Sequence, residues 1–334
     1  MHQQPARKLI IQIPCYNEEG TLAATLADLP RFVPGFASVE WLVVDDGSRD
    51  ETVRVARDCG VDHIVSLPFN QGLARAFMVG IEASLRAGAD VIVNTDADNQ
   101  YSAKSIPDLV EPILRGDAQI VIGARPIGQI EEFSLAKKLL QRLGSFVVRV
   151  ASKTSVPDAP SGFRAYAAEA AIRLNVFGSY TYTLETIIQA GRKSIPMAFV
   201  PVSVNPATRP SRLVRSVPNY VFRSVLGIVR IFVLYKPLRF FTYGGLLFLV
   251  PGILIGTRFV AAMWAGQGAG HVQSLILAAI LIVTAVVVMA AGVLSDLIAA
   301  NRLLLEEMRT RQLRSLVQGR CDATPGGDRA GDRK

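Results

Sequence analysis

The chain has 334 residues, enough for one substantial domain with an appendage and too few for three ordinary domains. Half of the residues are hydrophobic and the formal charge is +8, so nucleic acid, anionic lipid and small acidic ligands have to be told apart by where the charge lies. Cys15, Cys59 and Cys321 form no CxxC pair and have no neighbouring histidine, which argues against a disulfide framework or structural zinc and fits a reducing cytoplasm.

Residues 1–8 lead into a strand-like run without the apolar stretch of a signal peptide, so the first domain is expected to stay inside the cell. From there, strand-like and helix-like segments alternate. Residues 8–14 (KLIIQIP) read as a buried strand, 19–29 as a helix, 39–46 (VEWLVVDD) as a second strand and 50–59 as a second helix. A third strand is expected at 63–67, a helix at 72–87, a fourth strand at 90–96 (DVIVNTD), a helix at 106–114 and a strand at 118–123. Apolar strands alternating with helices predict an α/β domain whose mostly parallel sheet is covered by helices on both faces. Ligands of such sheets bind beyond the carboxyl ends of the strands. Polar clusters follow the strands at 14–18 (PCYNE), 45–48 (DDGS) and 96–99 (DADN), so loops distant in sequence can meet at one edge. No GxGxxG or GxxxxGK[ST] run occurs, which leaves dehydrogenase and P-loop readings without support.

Asp96 and Asp98, two residues apart at a strand end, can reach one hard cation, and Mg2+ or Mn2+ would bridge them to a diphosphate. Such an arrangement would stabilise a departing nucleoside diphosphate, whose oxygens gain charge as the sugar bond breaks. A DxD on a solvated loop is common, and its place after a buried strand, facing two further acidic loops, gives it weight. Asp45-Asp46-Gly47-Ser48 also has a plain reading as a tight turn, with Ser48 or Asp50 capping the next helix.

Farther along, residues 240–257 carry no charge, the apolar character resumes after Arg258 through Trp264, and residues 272–295 form a second uncharged stretch. A bilayer takes about 20 apolar residues to cross, so both qualify as transmembrane helices; the alternative is a pair of buried core helices. The connection 265–271 has no Lys or Arg. The stretch before the first span holds Arg209, Arg212, Arg215, Arg223, Arg230, Lys236 and Arg239, and the tail after the second holds Arg302, Arg309, Arg311, Arg314 and Arg320. Positive flanks stay inside, so the large N-terminal domain and both termini are expected at the cytoplasmic face of the cytoplasmic membrane. Basic residues beside the spans suit anionic lipid headgroups, and nucleic-acid binding accounts for them less well. Residues 218–236 read either as a cationic amphipathic helix on the membrane or as a linker helix packed on the domain. Residues 321–334, polar and Gly-rich, read as disordered.

Seven segments stand in one order over about the first 200 residues: IPCYNEE (13–19), VDDGSRDET (44–52), NQGLARA (70–76), DADNQY (96–101), GAR (123–125), DAPSGFR (158–164) and LETIIQA (184–190). Together they resemble a family 2 glycosyltransferase of the polyprenyl-phosphate type, which includes dolichol-phosphate mannose synthases. The resemblance implies a GT-A-type nucleotide-sugar-binding domain over 1–210, a juxtamembrane amphipathic segment over 211–238, two transmembrane helices within 239–298, and a basic cytoplasmic tail over 299–334 with a disordered end. It implies a nucleotide-sugar donor, with Pro14, Tyr16 and Glu18 lining base and ribose and Asp45 and Asp46 nearby. It implies a metal, Mg2+ or Mn2+, held by Asp96, Asp98 and Gln100, and a lipid phosphate met by Arg125 and Arg142. Asp158 is the candidate for positioning or base duty, with capping of the next segment as its plainer role. The family's basic RxxGxSK loop has a counterpart at 205–213 (NPATRPSRL), where Ser211 and Arg212 fit but Arg209 stands in place of glycine and Pro206 in place of arginine. A diphosphate clamp at Arg209 or Arg212 is therefore an assignment that the motif only half supports.

The reaction implied is an inverting transfer to a polyprenyl phosphate, undecaprenyl phosphate if the source is bacterial. Rival readings are transfer to a lipid or glycan hydroxyl, and a non-catalytic sugar-nucleotide-binding scaffold in the membrane. No QxxRW run occurs and only two spans are expected, which argues against a processive polymer synthase. The family resemblance admits a homo-oligomer, though no residue identifies one.

Overall fold

In the computed structural model, residues 7–125, 160–176, 182–205, 233, 236–264 and 272–323 are described. Asp158, Arg142, Arg209, Arg212, all of the 205–213 counterpart of the basic loop except Asn205, and most of the 218–236 segment lie outside them.

The first residues build the expected alternation: β1 (Lys8–Cys15), α1 (Leu22–Asp28), β2 (Ser38–Asp45), α2 (Thr52–Asp58), β3 (His63–Ser66), α3 (Leu73–Arg86), β4 (Val91–Asn94), α4 (Ile106–Arg115) and β5 (Ile120–Ala124). They are followed by β6 (Arg164–Ala167), α5 (Ala168–Arg173), α6 (Thr183–Arg192) and β7 (Met197–Pro201). The seven strands form one sheet in the order β3-β2-β1-β4-β6-β5-β7. Only β6 runs antiparallel to its neighbours, β4 and β5, so the sheet is mostly parallel as its apolar runs predict. β1 is flanked by β2 on one side and β4 on the other, and the direction of winding reverses between β1 and β4. That reversal opens the crevice in which doubly wound sheets bind ligands.

Helices cover both faces because β1 has no polar face to offer: Leu9, Ile10, Ile11 and Ile13 are all fully buried. Each such side chain contributes about 1.5–3 kcal/mol relative to leaving it in water. α3 lies close on β1 and β2 at Gly80, where a Cβ would stand 2.6 Å from Gln12 Oε1 and 3.1 Å from Val44 Cγ2.

The chain divides into two compact units, residues 1–217 with 307–334 and residues 218–306. The second unit holds α7 (Pro237–Trp264) and the first part of α8 (Val272–Ala323), both long and apolar enough to cross a membrane. Tyr243 and Leu247 in α7 are each 71% exposed and Val287 in α8 is 62% exposed, whereas core helices would turn such side chains inward. Within this unit the helices meet through small residues: a Cβ on Gly245 would lie 2.6 Å from Met289 Cγ, and one on Gly252 would lie 3.3 Å from Ala278 O. α8 runs on to Ala323, past the expected end of the span and into the run expected to be disordered. Its last part belongs to the first unit, where Arg309 Nη1 donates to Leu174 O (3.3 Å) and to Asn175 Oδ1 (2.8 Å), and Arg314 pairs with Glu169. A cation at the carboxyl end of α5 is well placed for the carbonyls left open there.

Candidate active site

At the carboxyl edge of the sheet the loop after β1 and the loop after β2 are laced together, because parallel pairing sets Cys15 beside Asp45. Asn17 N–H donates to Ser48 Oγ (2.9 Å), Glu18 N–H to Thr52 Oγ1 (2.8 Å), and Arg49 N–H to Asn17 Oδ1 (2.9 Å). Asn17 takes a φ of 53°, a left-handed conformation that asparagine tolerates better than most residues. Pro14 ends up buried in β1, while Tyr16 is 39% exposed at the edge. Asp45 Oδ1 accepts from Ser48 N–H (2.9 Å), which is the tight turn left open by the sequence. Asp46 uses both oxygens on the backbone ahead of α3, accepting from Gln71 N–H (2.7 Å) and Gly72 N–H (2.8 Å). It holds the NQG loop against the turn at Gly47, whose φ of 72° and close approach to the Phe69 backbone exclude a side chain.

Across the β1/β4 crevice lies the DxD loop. Asp96 sits against the backbone of Gly162, where a Cβ would come within 3.0 Å of both carboxylate oxygens and 3.1 Å of Tyr182 Oη. Behind it is a buried polar chain. Gln12 Nε2 donates to Asn94 Oδ1 (2.9 Å), and Asn94 Nδ2 donates to Gly162 O (2.9 Å) and Tyr182 Oη (2.8 Å). Gly162 N–H in turn donates to Tyr101 Oη (3.2 Å). Phe77 stacks on Tyr182 at 3.9 Å between centroids, and Tyr101 on Phe163 at 5.1 Å, which locks both phenols. Below them Arg164, fully buried, donates to Ser161 O (2.7 Å), Thr183 O (2.9 Å) and Thr186 Oγ1 (2.7 Å). A buried guanidinium needs this many acceptors.

The electrostatics of Asp96 follow from this setting. Part of its surface is open, yet protein encloses it closely enough that burial pushes its carboxyl up to about 7. Asp98 pushes the same way and Glu18 adds to it, while Arg125 and Arg164 oppose them. The loops after β1 and β4 and the end of β5 therefore face one another, and the guanidinium of Arg125 stands 6.0 Å from the Tyr101 ring. Tyr101 and Tyr182 have their phenols raised, by burial first and by the Asp96 charge second.

Among the described residues no group of three or more His, Cys, Asp or Glu converges into a ready-made metal site. A cation of Mg2+ type does not need one, since it takes one or two carboxylates and fills its remaining positions with phosphate oxygens and water. Asp96 and Asp98 fit that donor set, and a cation there would relieve the charge they crowd together. Gln100, half-buried on the same loop, has its N–H on Asp98 Oδ1 (3.2 Å). The structure thus brings Tyr16, Glu18, Asp96, Asp98, Gln100 and Arg125 to one edge, and commits Asp46 to holding the NQG loop. Sequence reasoning gave no role to Asn94, Gly162, Arg164 and Tyr182, although Gly162 and Arg164 stand in the DAPSGFR segment. The signal available was a polar residue inside each of two apolar strands, Gln12 and Asn94.

The pattern of glycosyl transferase family 2 matches residues 10–174. An undecaprenyl-phosphate mannosyltransferase of Micrococcus luteus is 31% identical over 207 residues, 59% of this chain and 83% of that protein. A polyprenol monophosphomannose synthase of Mycolicibacterium smegmatis is 25% identical over 211 residues, 60% of this chain and 78% of that protein. Among solved structures, glucosyl-3-phosphoglycerate synthase from Mycobacterium tuberculosis in complex with phosphoglyceric acid matches with a TM-score of 0.54 at 21% identity, over 68% of this chain and 79% of that one. A second structure of that synthase, with Mn2+, UDP and glucosyl-3-phosphoglycerate, matches with a TM-score of 0.50, 21% identity and the same coverage. At that identity the likeness speaks for the fold.

Proposed function

The chain belongs to glycosyl transferase family 2, and from that premise we propose that it moves a sugar from a nucleotide-sugar donor to a polyprenyl phosphate, with inversion, at the cytoplasmic face of the membrane. The observation that carries this reading is the pairing of opposites at the β1/β4 crevice. Asp96 and Asp98, with Glu18 across from them, suit a metal-bound diphosphate, and Arg125 at the end of β5 suits a second, phosphate-bearing ligand. The names of the Micrococcus and Mycolicibacterium relatives support a polyprenyl phosphate acceptor, and α7 and α8 supply candidate spans beside which such a lipid would lie.

In this reading Tyr16 stacks on the base, Pro14 shapes the floor beneath it, and Glu18 and Asp45 accept ribose hydroxyls. Asp46 acts one step back, through the NQG loop. Asp96, Asp98 and Gln100 hold Mg2+ or Mn2+, as crystals of the mycobacterial synthase hold either ion with UDP. When bound, the ion offsets the charge that develops on the leaving diphosphate. Arg125 orients the acceptor phosphate, which is already an anion at neutral pH and needs alignment more than a strong base. Asp158, Arg142, Arg209 and Arg212 keep the positioning and phosphate-binding roles that the family resemblance assigns them.

The test is transfer of label. Purified protein in detergent receives undecaprenyl phosphate, Mg2+ or Mn2+ and a panel of radiolabelled nucleotide sugars, with Asp98→Ala alongside. Metal-dependent label in the organic phase that disappears in the variant is the expected result. Label that reaches only hydroxyl acceptors would replace the phosphate-acceptor reading. Nucleotide-sugar binding without any turnover would leave a scaffold.

A further inference from the structure

The DxD loop is held by residues to which neither the family resemblance nor the site chemistry gives a role. On one side stands α1. Thr25 and Asp28, three residues apart, share a face of that helix. The Thr25 hydroxyl lies 2.9 Å from Ala97 O, the shorter of its two acceptors, and Asp28 Oδ2 accepts from Asn99 Nδ2 at 2.8 Å. On the other side stands the strand-like run that leaves β7. Val204 bridges antiparallel to Tyr101, Ser102 N–H donates to Ser203 O (3.1 Å), and Asn205 N–H donates to Gln100 O (2.8 Å). Asn205 also gives its side-chain amide to Asn99 O (3.0 Å) and Asn99 Oδ1 (3.3 Å). Asn99 is the pin between the two sides: its amide nitrogen donates to α1 and its amide oxygen accepts from Asn205. It does so from a φ of 53°, a conformation asparagine adopts at lower cost than most residues.

We propose that Asp28, Asn99 and Asn205 form a bracket that fixes the Asp96–Gln100 loop in the geometry that binds one divalent cation, a positioning role for residues outside the DxD itself. The proposal rests on the metal reading above. Two carboxylates bind a small cation tightly only when they need not reorganise, and such outer partners commonly govern about ten- to a hundredfold in affinity. The bracket residues are exposed or half-buried, so their loss should loosen the loop without unfolding the domain.

The experiment is a titration of the full chain in detergent with Mn2+, in the presence of UDP and then of GDP, with free Mn2+ read by electron paramagnetic resonance. Asp28→Ala and Asn205→Ala should each weaken Mn2+ binding about tenfold, with thermal midpoints near wild type. Asp28→Asn, which keeps an oxygen to accept from Asn99, should bind as wild type does. Glu111→Ala, on the exposed surface of α4, is the control and should change nothing. Undiminished binding by Asp28→Ala and Asn205→Ala overturns the bracket. Equal weakening by Asp28→Asn and Asp28→Ala overturns it too, because the negative charge of Asp28 and not its hydrogen bond would then be responsible. If the wild-type protein binds no Mn2+ with either nucleotide, the metal reading fails and the bracket with it.

Discussion

Gly162→Ala is the substitution whose effect follows most directly from the geometry of the crevice. Gly162 carries no positive φ, so an added Cβ meets no backbone penalty and acts only through what it touches. It would touch both oxygens of Asp96 at 3.0 Å and Tyr182 Oη at 3.1 Å. Tyr182 is locked by the stack on Phe77 and by Asn94, so the carboxylate is the group that must give, by a few tenths of an ångström. Overpacking of this kind costs about 1–3 kcal/mol of stability. Displacing a metal-binding carboxylate should cost more in function, about ten- to a hundredfold in metal affinity. Initial rate measured against Mn2+ concentration would show a raised half-saturation with the rate at saturating metal largely restored. Tyr182→Phe in the Gly162→Ala background relieves only the phenol contact and should not rescue. Wild-type metal dependence in Gly162→Ala would refute the claim that this contact sets the position of Asp96.

The raised carboxyl of Asp96 gives a pH signature. Its folded value of about 7 lies above the ordinary value of about 3.9, so its contribution to stability is fully present below about pH 4 and is lost as pH rises through 7. A cation needs the ionised form, so thermal stabilisation by Mn2+ with a nucleoside diphosphate should grow from pH 6 to pH 8, and Asp96→Asn should abolish the growth. Asp46→Ala leaves the amides of Gln71 and Gly72 without acceptors and should lower stability by about 1.5–3 kcal/mol while weakening nucleotide binding, as read by thermal shift and calorimetry. Arg164→Met leaves Ser161 O, Thr183 O and Thr186 Oγ1 without their donor; protein that expresses should melt well below wild type.

The early alternation was legible because the residues at 8–14, 39–46 and 90–96 are apolar runs ending in polar clusters, and parallel strands buried on both faces have that form. β6 and β7 were not foreseen: RAYA and MAFVP are short, carry no period, and become strands only where β4 and β5 give them partners. The acidic loops could be read from their chemistry, but the occupation of Asp46 could not, since Gln71 and Gly72 are brought to it by the return of the chain from β3. The wall behind Asp96 was hidden for a similar reason. Gln12 and Asn94 are isolated polar residues in the sequence and become partners once β1 and β4 pair. The length of α8 was not legible because Asp296 ends the uncharged run of 272–295. Beyond it the helix continues on the pairs Arg302–Glu306 and Glu307–Arg311, each four apart, with no glycine before Gly319.

The claim most exposed to test is the acceptor. Mass spectrometry of the lipid product, after the wild-type protein has been given polyprenyl phosphate and polyprenol together with an active donor, addresses it directly. A single hexosyl unit added to the polyprenyl phosphate, with the polyprenol untouched and the product lost when the metal is chelated, is the result predicted here. Hexose on the polyprenol or on a glycolipid hydroxyl, with the phosphate lipid unmodified, would contradict it.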